Sequence, residues 1–176
     1  MNNIAGYFFR LCLLRETPAT LPPSREILGV TLLVYFLVSL FTNLLRNIPV
    51  PIGDLVAILI LGIGYYATIV WMLLTYKQVP GRLIHVLIAL FGSDVIISLV
   101  SLAAGTLGRL LFSESDSMDI AQLIWVPSFA WSLIVSGWIF KHAGNMSHTQ
   151  GFFLALTIYF LYLVIFSALF PSMLNK

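Results

Sequence analysis

A single cysteine, Cys12, stands in the 176 residues. One thiol cannot make an internal disulfide, a CxxC redox pair or a four-thiolate zinc site, which excludes thiol relay and iron–sulfur chemistry. Charge is almost as scarce, with 9 Lys and Arg against 7 Asp and Glu, 9% of the chain, and a formal net charge of +2. These charges are too few and too scattered for the basic stripe of a nucleic-acid binder, so no nucleic-acid partner is expected. His85, His142 and His148 are the 3 histidines. They lack i, i+4 pairing and nearby carboxylates, so no metal site is expected, and they do not share facing depths as haem ligands would. No GxSxG, HExxH, P-loop or GxGxxG occurs, and no histidine lies at the depth of the span serines to act as their base. Neither an enzyme nor a cofactor is expected.

What the chain does have is apolar length. Hydrophobic residues make up 60% of it and aromatic ones 14%, and the mean hydropathy is +0.99, which is the composition of an integral membrane protein with the lipid bilayer as its first partner. Five spans of about 20 residues use roughly 100 residues and leave no room for a soluble domain. The expected fold class is all-α: a polytopic membrane helix bundle of five transmembrane helices preceded by an interfacial amphipathic helix.

Two regions follow from the punctuation. Residues 1–24 form the amphipathic helix and a proline-rich elbow, and residues 25–176 the bundle. Ile4, Tyr7, Phe8, Leu11 and Leu14 fall on one helical stripe, with Asn3, Arg10 and Glu16 off it. That stripe is expected among the headgroups, with Tyr7 and Phe8 in the interface and Arg10 and Arg15 on anionic lipid. Three prolines in Thr17–Ser24 (TPATLPPS) remove donors and stiffen the elbow. Ser24 suits an N-cap, and Glu26 in the first turn suits the helix dipole. The spans are expected at about 25–46, 55–76, 83–112, 120–140 and 151–170. NIPVPIGD (Asn47–Asp54) separates the first two, with Asp54 as a cap; KQVPGR (Lys77–Arg82) makes a tight reversal; SESDSMD (Ser113–Asp119) ends the third; and KHAGNMSHTQ (Lys141–Gln150) is a polar loop.

The basic residues orient this frame. Arg10, Arg15, Arg25, Lys77, Arg82 and Lys141 share one side, against Arg46, Arg109 and Lys176 on the other, which places the N-terminus inside and the C-terminus outside. The acidic Glu114, Asp116 and Asp119 then face out, and Trp71, Tyr76, Trp125 and Trp138 fall in the aromatic belts. The sequon at Asn145 is read as chance, because its loop lies inside.

Asp94 is the residue that needs a reason. It lies eleven positions into span three, about 16 Å along at 1.5 Å per residue, close to mid-bilayer. A carboxyl there costs about 2.5–3.5 kcal/mol on insertion scales and is a functional candidate by default. Asp94, Ser98, Ser101, Gly105 and Gly108 gather on one face, read either as a proton or cation site or as a polar packing anchor. Ala104 with Gly108, Ser101 with Gly105, and the stripe Ser128, Ser132 and Ser136 in span four are expected to let helices pack closely. Pro127 is expected to kink span four, and Gly62 with Gly64 to sit at a close crossing.

The proline-interrupted segment RETPATLPPS (Arg15–Ser24), followed by five spans with very short loops, resembles the five-span Yip family, the Ypt-interacting membrane proteins, and its bacterial relatives. The likeness lies in hydropathy and layout and carries no functional residues over. It implies a non-enzymatic protein that organises or binds other membrane components, with a membrane-protein partner or a homo-oligomer. The long acidic region of the eukaryotic members is absent, and the short loops suit a bacterial inner membrane. The competing expectation is a small proton-coupled transporter or channel subunit using Asp94. A water-accessible cavity at Asp94 favours transport, and a dry hydrogen bond favours packing.

Overall fold

The computed structural model describes residues 4–21, 23–45, 51–111 and 117–170. It consists of six helices, α1 (Ile4–Cys12), α2 (Arg25–Leu45), α3 (Ile52–Tyr76), α4 (Leu83–Leu111), α5 (Ser117–Gly144) and α6 (His148–Leu169). Single 3-10 turns stand at Pro18–Thr20 and Pro80–Arg82, and there is no strand among the described residues. The last five helices are long and apolar enough to cross a membrane. Their outward surface is large and apolar, with Val30, Phe41, Ile60, Met72, Phe153 and Val164 all exposed, as lipid-facing positions require. The five-span expectation stands, consistent with an integral membrane protein.

Local chemistry sets most of the boundaries. Ser24 Oγ accepts from the Ile27 N–H at 3.3 Å and starts α2. Asp54 does not cap α3: the helix opens after Pro51, which leaves the carboxylate within the first turn, where the helix dipole still favours it. The reversal before α4 carries Gln78 at φ 60° beside a Pro-Gly turn. The expected polar loop Lys141–Gln150 is mostly helix. α5 runs on to Gly144, Asn145 takes φ 50°, and α6 starts at His148 after three non-helical residues. Ser147 Oγ accepts from Gln150 N at 3.2 Å while Gln150 Oε1 accepts from Ser147 N at 3.1 Å. This reciprocal cap closes a turn too short to be a loop.

α4 is the central helix. Of its apolar window 56% is buried, against 28% or less in the other four spans, because α1, α2 and α5 all pack on it. α5 in turn pairs with α6. Gly137 and Gly151 make that crossing: a Cβ at Gly137 would lie 2.9 Å from Phe152 Cα, and one at Gly151 would strike the Gly137 carbonyl. Of the small residues expected to pack closely at the far end of α4, Gly105 has open space where a Cβ would go and Ala104 is half-buried, whereas Ser101 and Gly108 are buried. Gly62 lies against the Tyr162 ring, but Gly64 faces open space, and α3 passes through both unbroken. α5 likewise remains one helix through Pro127.

The N-terminal helix is the largest departure from expectation. Tyr7, Phe8, Leu11 and Cys12 are buried, with the aromatic face on α4 rather than among headgroups. Gly92 and Ser93 of α4, both buried, lie at this contact: a Cβ at Gly92 would overlap the Phe8 ring, and Cys12 Sγ lies against the Ser93 carbonyl. The backbone is then tied down. Trp131 Nε1 donates to the Cys12 carbonyl at 2.8 Å, Trp138 Nε1 to the Glu16 carbonyl at 2.9 Å, and Tyr7 Oη to the Thr17 carbonyl at 2.9 Å. Arg10 and Arg15 remain exposed, and Arg10 Nε meets Glu16 Oε1 at 3.3 Å. Arg46, Glu114, Asp116 and Lys176 lie outside the described residues, as do the side chains of Arg109 and Asp119.

Candidate functional site

α4 and α5 run antiparallel, so a polar residue on one finds a partner at matching depth on the other. Ser101 donates to Ser128 Oγ at 2.7 Å, and Ser128 donates in turn to the Ile124 carbonyl at 2.8 Å. Four residues further along α5 and seven back along α4, Ser132 donates to Asp94 Oδ1 at 3.2 Å. Ser128 and Ser132 of the α5 stripe thus meet the polar face of α4, and the two hydrogen bonds tie the helices together. Ser98, on the same face by spacing, is half-buried and does not line the cavity at Asp94.

Asp94 also opens onto space. It lines a cavity of about 200 Å³, against about 30 Å³ for a water molecule's share of liquid volume. Every spanning helix contributes to the wall. Tyr35 comes from α2, Gly62 and Tyr66 from α3, Phe91 from α4, Ser132 and Ser136 from α5, and Tyr159 and Tyr162 from α6. Among the described residues Asp94 accepts a single hydrogen bond, that from Ser132, whereas a carboxylate can accept about four. Its remaining acceptor capacity is directed at the cavity. Among the described residues no Lys, Arg or His lines the space, and Asp94 is the only charged side chain that does.

Aromatic rings form the rest of the wall. Tyr35 and Phe91 have centroids 4.9 Å apart, Tyr66 and Phe91 6.5 Å, Tyr66 and Tyr162 6.0 Å, and Phe129 and Tyr159 4.5 Å. These separations fall in the range of favourable offset and edge-to-face pairs. Tyr65 does not face the cavity; its hydroxyl donates to the Ile158 carbonyl at 2.8 Å and ties α3 to α6. Sequence reasoning singled out Asp94 and the three serines of α5 but missed the tyrosines. An aromatic residue in a span carries no depth or facing signal until the helices are rotated into place.

A second cluster gathers where the two short turns meet. Arg82 Nη1 lies 3.1 Å from the His142 carbonyl, 3.0 Å from the Ala143 carbonyl and 3.2 Å from Asn145 Oδ1. It caps the C-terminal end of α5, where a cation opposes the helix dipole. Lys141 Nζ is 4.7 Å from the centre of the Trp138 ring and 2.6 Å from His148 Nε2. No group of three or more His, Cys, Asp or Glu able to hold a metal occurs among the described residues.

Comparison of the chain with family models, with curated proteins and with solved structures finds no match. The functional reading therefore rests on the site itself.

Proposed function

We propose that this protein is a small membrane transport component, a proton-coupled transporter or channel subunit in which Asp94 is the protonatable site of a central cavity. The observation that carries the reading is the setting of Asp94: its carboxylate, with one protein hydrogen bond, faces a cavity walled by all five spanning helices. A carboxyl kept only for packing would have its acceptors filled by neighbouring donors. Here the acceptors face a space large enough for water. In the frame of the basic residues, the end of the bundle bearing Lys77, Arg82 and Lys141 faces the cytoplasm, in keeping with a bacterial inner membrane.

The organising role implied by the Yip resemblance was expected to act through the amphipathic N-terminus together with the small-residue helix faces. Tyr7 and Phe8 are spent on α4 instead, so the cavity is the better-supported basis for function.

Purified protein in vesicles with a trapped pH dye tests the proposal. A pH gradient is expected to drive proton movement in wild type that Asp94→Asn abolishes, with the variant still monodisperse and Ser101→Ala still active. Wild-type vesicles no leakier than empty ones would overturn the reading, as would an Asp94→Asn variant as active as wild type. Recovery of a stoichiometric membrane-protein partner from the native membrane, with no proton movement, would return the organising role to first place.

A further inference from the structure

The lining chemistry of the cavity identifies what it can hold besides protons. An anion is disfavoured, since among the described residues the one charge in the wall is the Asp94 carboxylate and no cationic side chain balances it. A bare inorganic cation needs about six oxygen ligands or more at short range. The side chains here offer one carboxylate, the hydroxyls of Ser132 and Ser136 and those of the tyrosines, spread over all five spanning helices on an otherwise apolar wall. An organic ammonium needs much less: one counter-charge and the faces of aromatic rings. Both are present together. Tyr66 is paired with Phe91 on one side and with Tyr162 on the other, at 6.5 Å and 6.0 Å between centroids, and all three line the same cavity as Asp94. At about 200 Å³ the space suits a molecule of several heavy atoms.

We infer that the cavity is a binding site for a small organic cation, an alkylammonium, with Asp94 as counter-ion and Tyr66, Phe91 and Tyr162 as the cation–π wall. The inference rests on the reading of Asp94 as a transport site and names the substrate class of that site. Binding leaves the carboxylate ionised against the ammonium, so a proton and an alkylammonium compete for Asp94. Such competition is the simplest coupling of one to the other.

The test is equilibrium binding of radiolabelled tetramethylammonium to the full chain in lipid nanodiscs at pH 8, in the presence and absence of competing sodium. Saturable binding to wild type is expected, weakened at least about tenfold by Asp94→Asn and about 3- to 30-fold by Tyr66→Leu. Tyr66→Phe, which keeps the ring, is expected to bind as wild type does. Should Asp94→Asn fail to fold, the two Tyr66 variants carry the test. Absence of saturable binding overturns the inference, as does Tyr66→Leu binding like wild type, or sodium displacing the probe at equal concentration. If Asp94→Asn abolishes proton movement while wild type binds no tetramethylammonium, the substrate class falls and the transport reading stands. If the probe binds as expected but no proton movement is seen, the site stands and the proton coupling falls.

Discussion

The ring of Phe8 occupies the space above Gly92 that any other residue's Cβ would fill. This contact joins the N-terminal helix to the middle of α4, one residue before Ser93 and two before Asp94. One turn further along the same face of α1, Cys12 Sγ lies 3.7 Å from the Ser93 carbonyl. Docking of α1 and placement of the site helix therefore share one stretch of backbone.

Gly92→Ala is expected to release α1 from α4. Overpacking of this kind costs about 1–3 kcal/mol, and the short helix can give way more readily than the bundle. Because Trp131 and Trp138 both donate to the N-terminal backbone, their fluorescence should shift toward that of exposed indole. Unchanged emission would show that Phe8 accommodates the methyl group without undocking.

Two glycine substitutions should act in opposite directions. Gly151→Ala places a Cβ against the Gly137 carbonyl and 3.1 Å from Lys141 N, backbone atoms that cannot rotate away, and is expected to cost about 1–3 kcal/mol. Gly105→Ala meets nothing within 4 Å and should stabilise by up to about 1 kcal/mol through helix propensity. Thermal unfolding of both variants in one detergent compares them directly.

Arg82→Gln removes the charged donor to the last carbonyls of α5. A loss of about 1.5–3 kcal/mol is expected for a hydrogen bond to a charged group, and Arg82→Lys should recover most of it, because every contact here comes from the single nitrogen Nη1 and an ammonium keeps both the charge and a donor at that end of α5. Unfolding midpoints of the three proteins measure the difference.

Burial first, and the negative charge of Asp94 second, push the Cys12 thiol up from 9.0 to about 12. The folded state thus holds its proton where the unfolded chain has lost it. The resulting stabilisation is present in full below about pH 9 and is lost as pH rises from there toward 12. Thiol labelling at pH 8 to 9 should accordingly be slow in wild type and fast in Gly92→Ala. Fast labelling of the folded wild type would contradict the buried position of Cys12.

The spans, their order and the oddity of Asp94 were legible because lipid imposes a local demand. Each crossing segment must satisfy its own backbone and be apolar throughout, so every span announces itself in about 20 residues. The reciprocal Ser147 and Gln150 cap was a missed local signal, concealed in a stretch whose polarity resembled a loop. The period of α1 was read correctly and its destination was not, since an apolar stripe fits headgroups and a bare patch on α4 equally well. The patch itself, including Ala89, Gly92 and Ser93, carried the same small-residue spacing sought at Gly105, but it was not singled out as a packing face.

By itself, then, the sequence determined a five-span helical bundle, its turns and one carboxylate deep within it, because hydropathy and capping act along the chain over a few turns. Only the tertiary structure decided that α1 lies on Gly92, that α5 and α6 touch through Gly137 and Gly151, and that Asp94 shares a cavity with tyrosines from three other helices. Those relations depend on how each helix is rotated and how far it is shifted along its neighbours. In a medium as apolar as the side chains themselves, close packing and a few hydrogen bonds set that rotation rather than hydrophobicity.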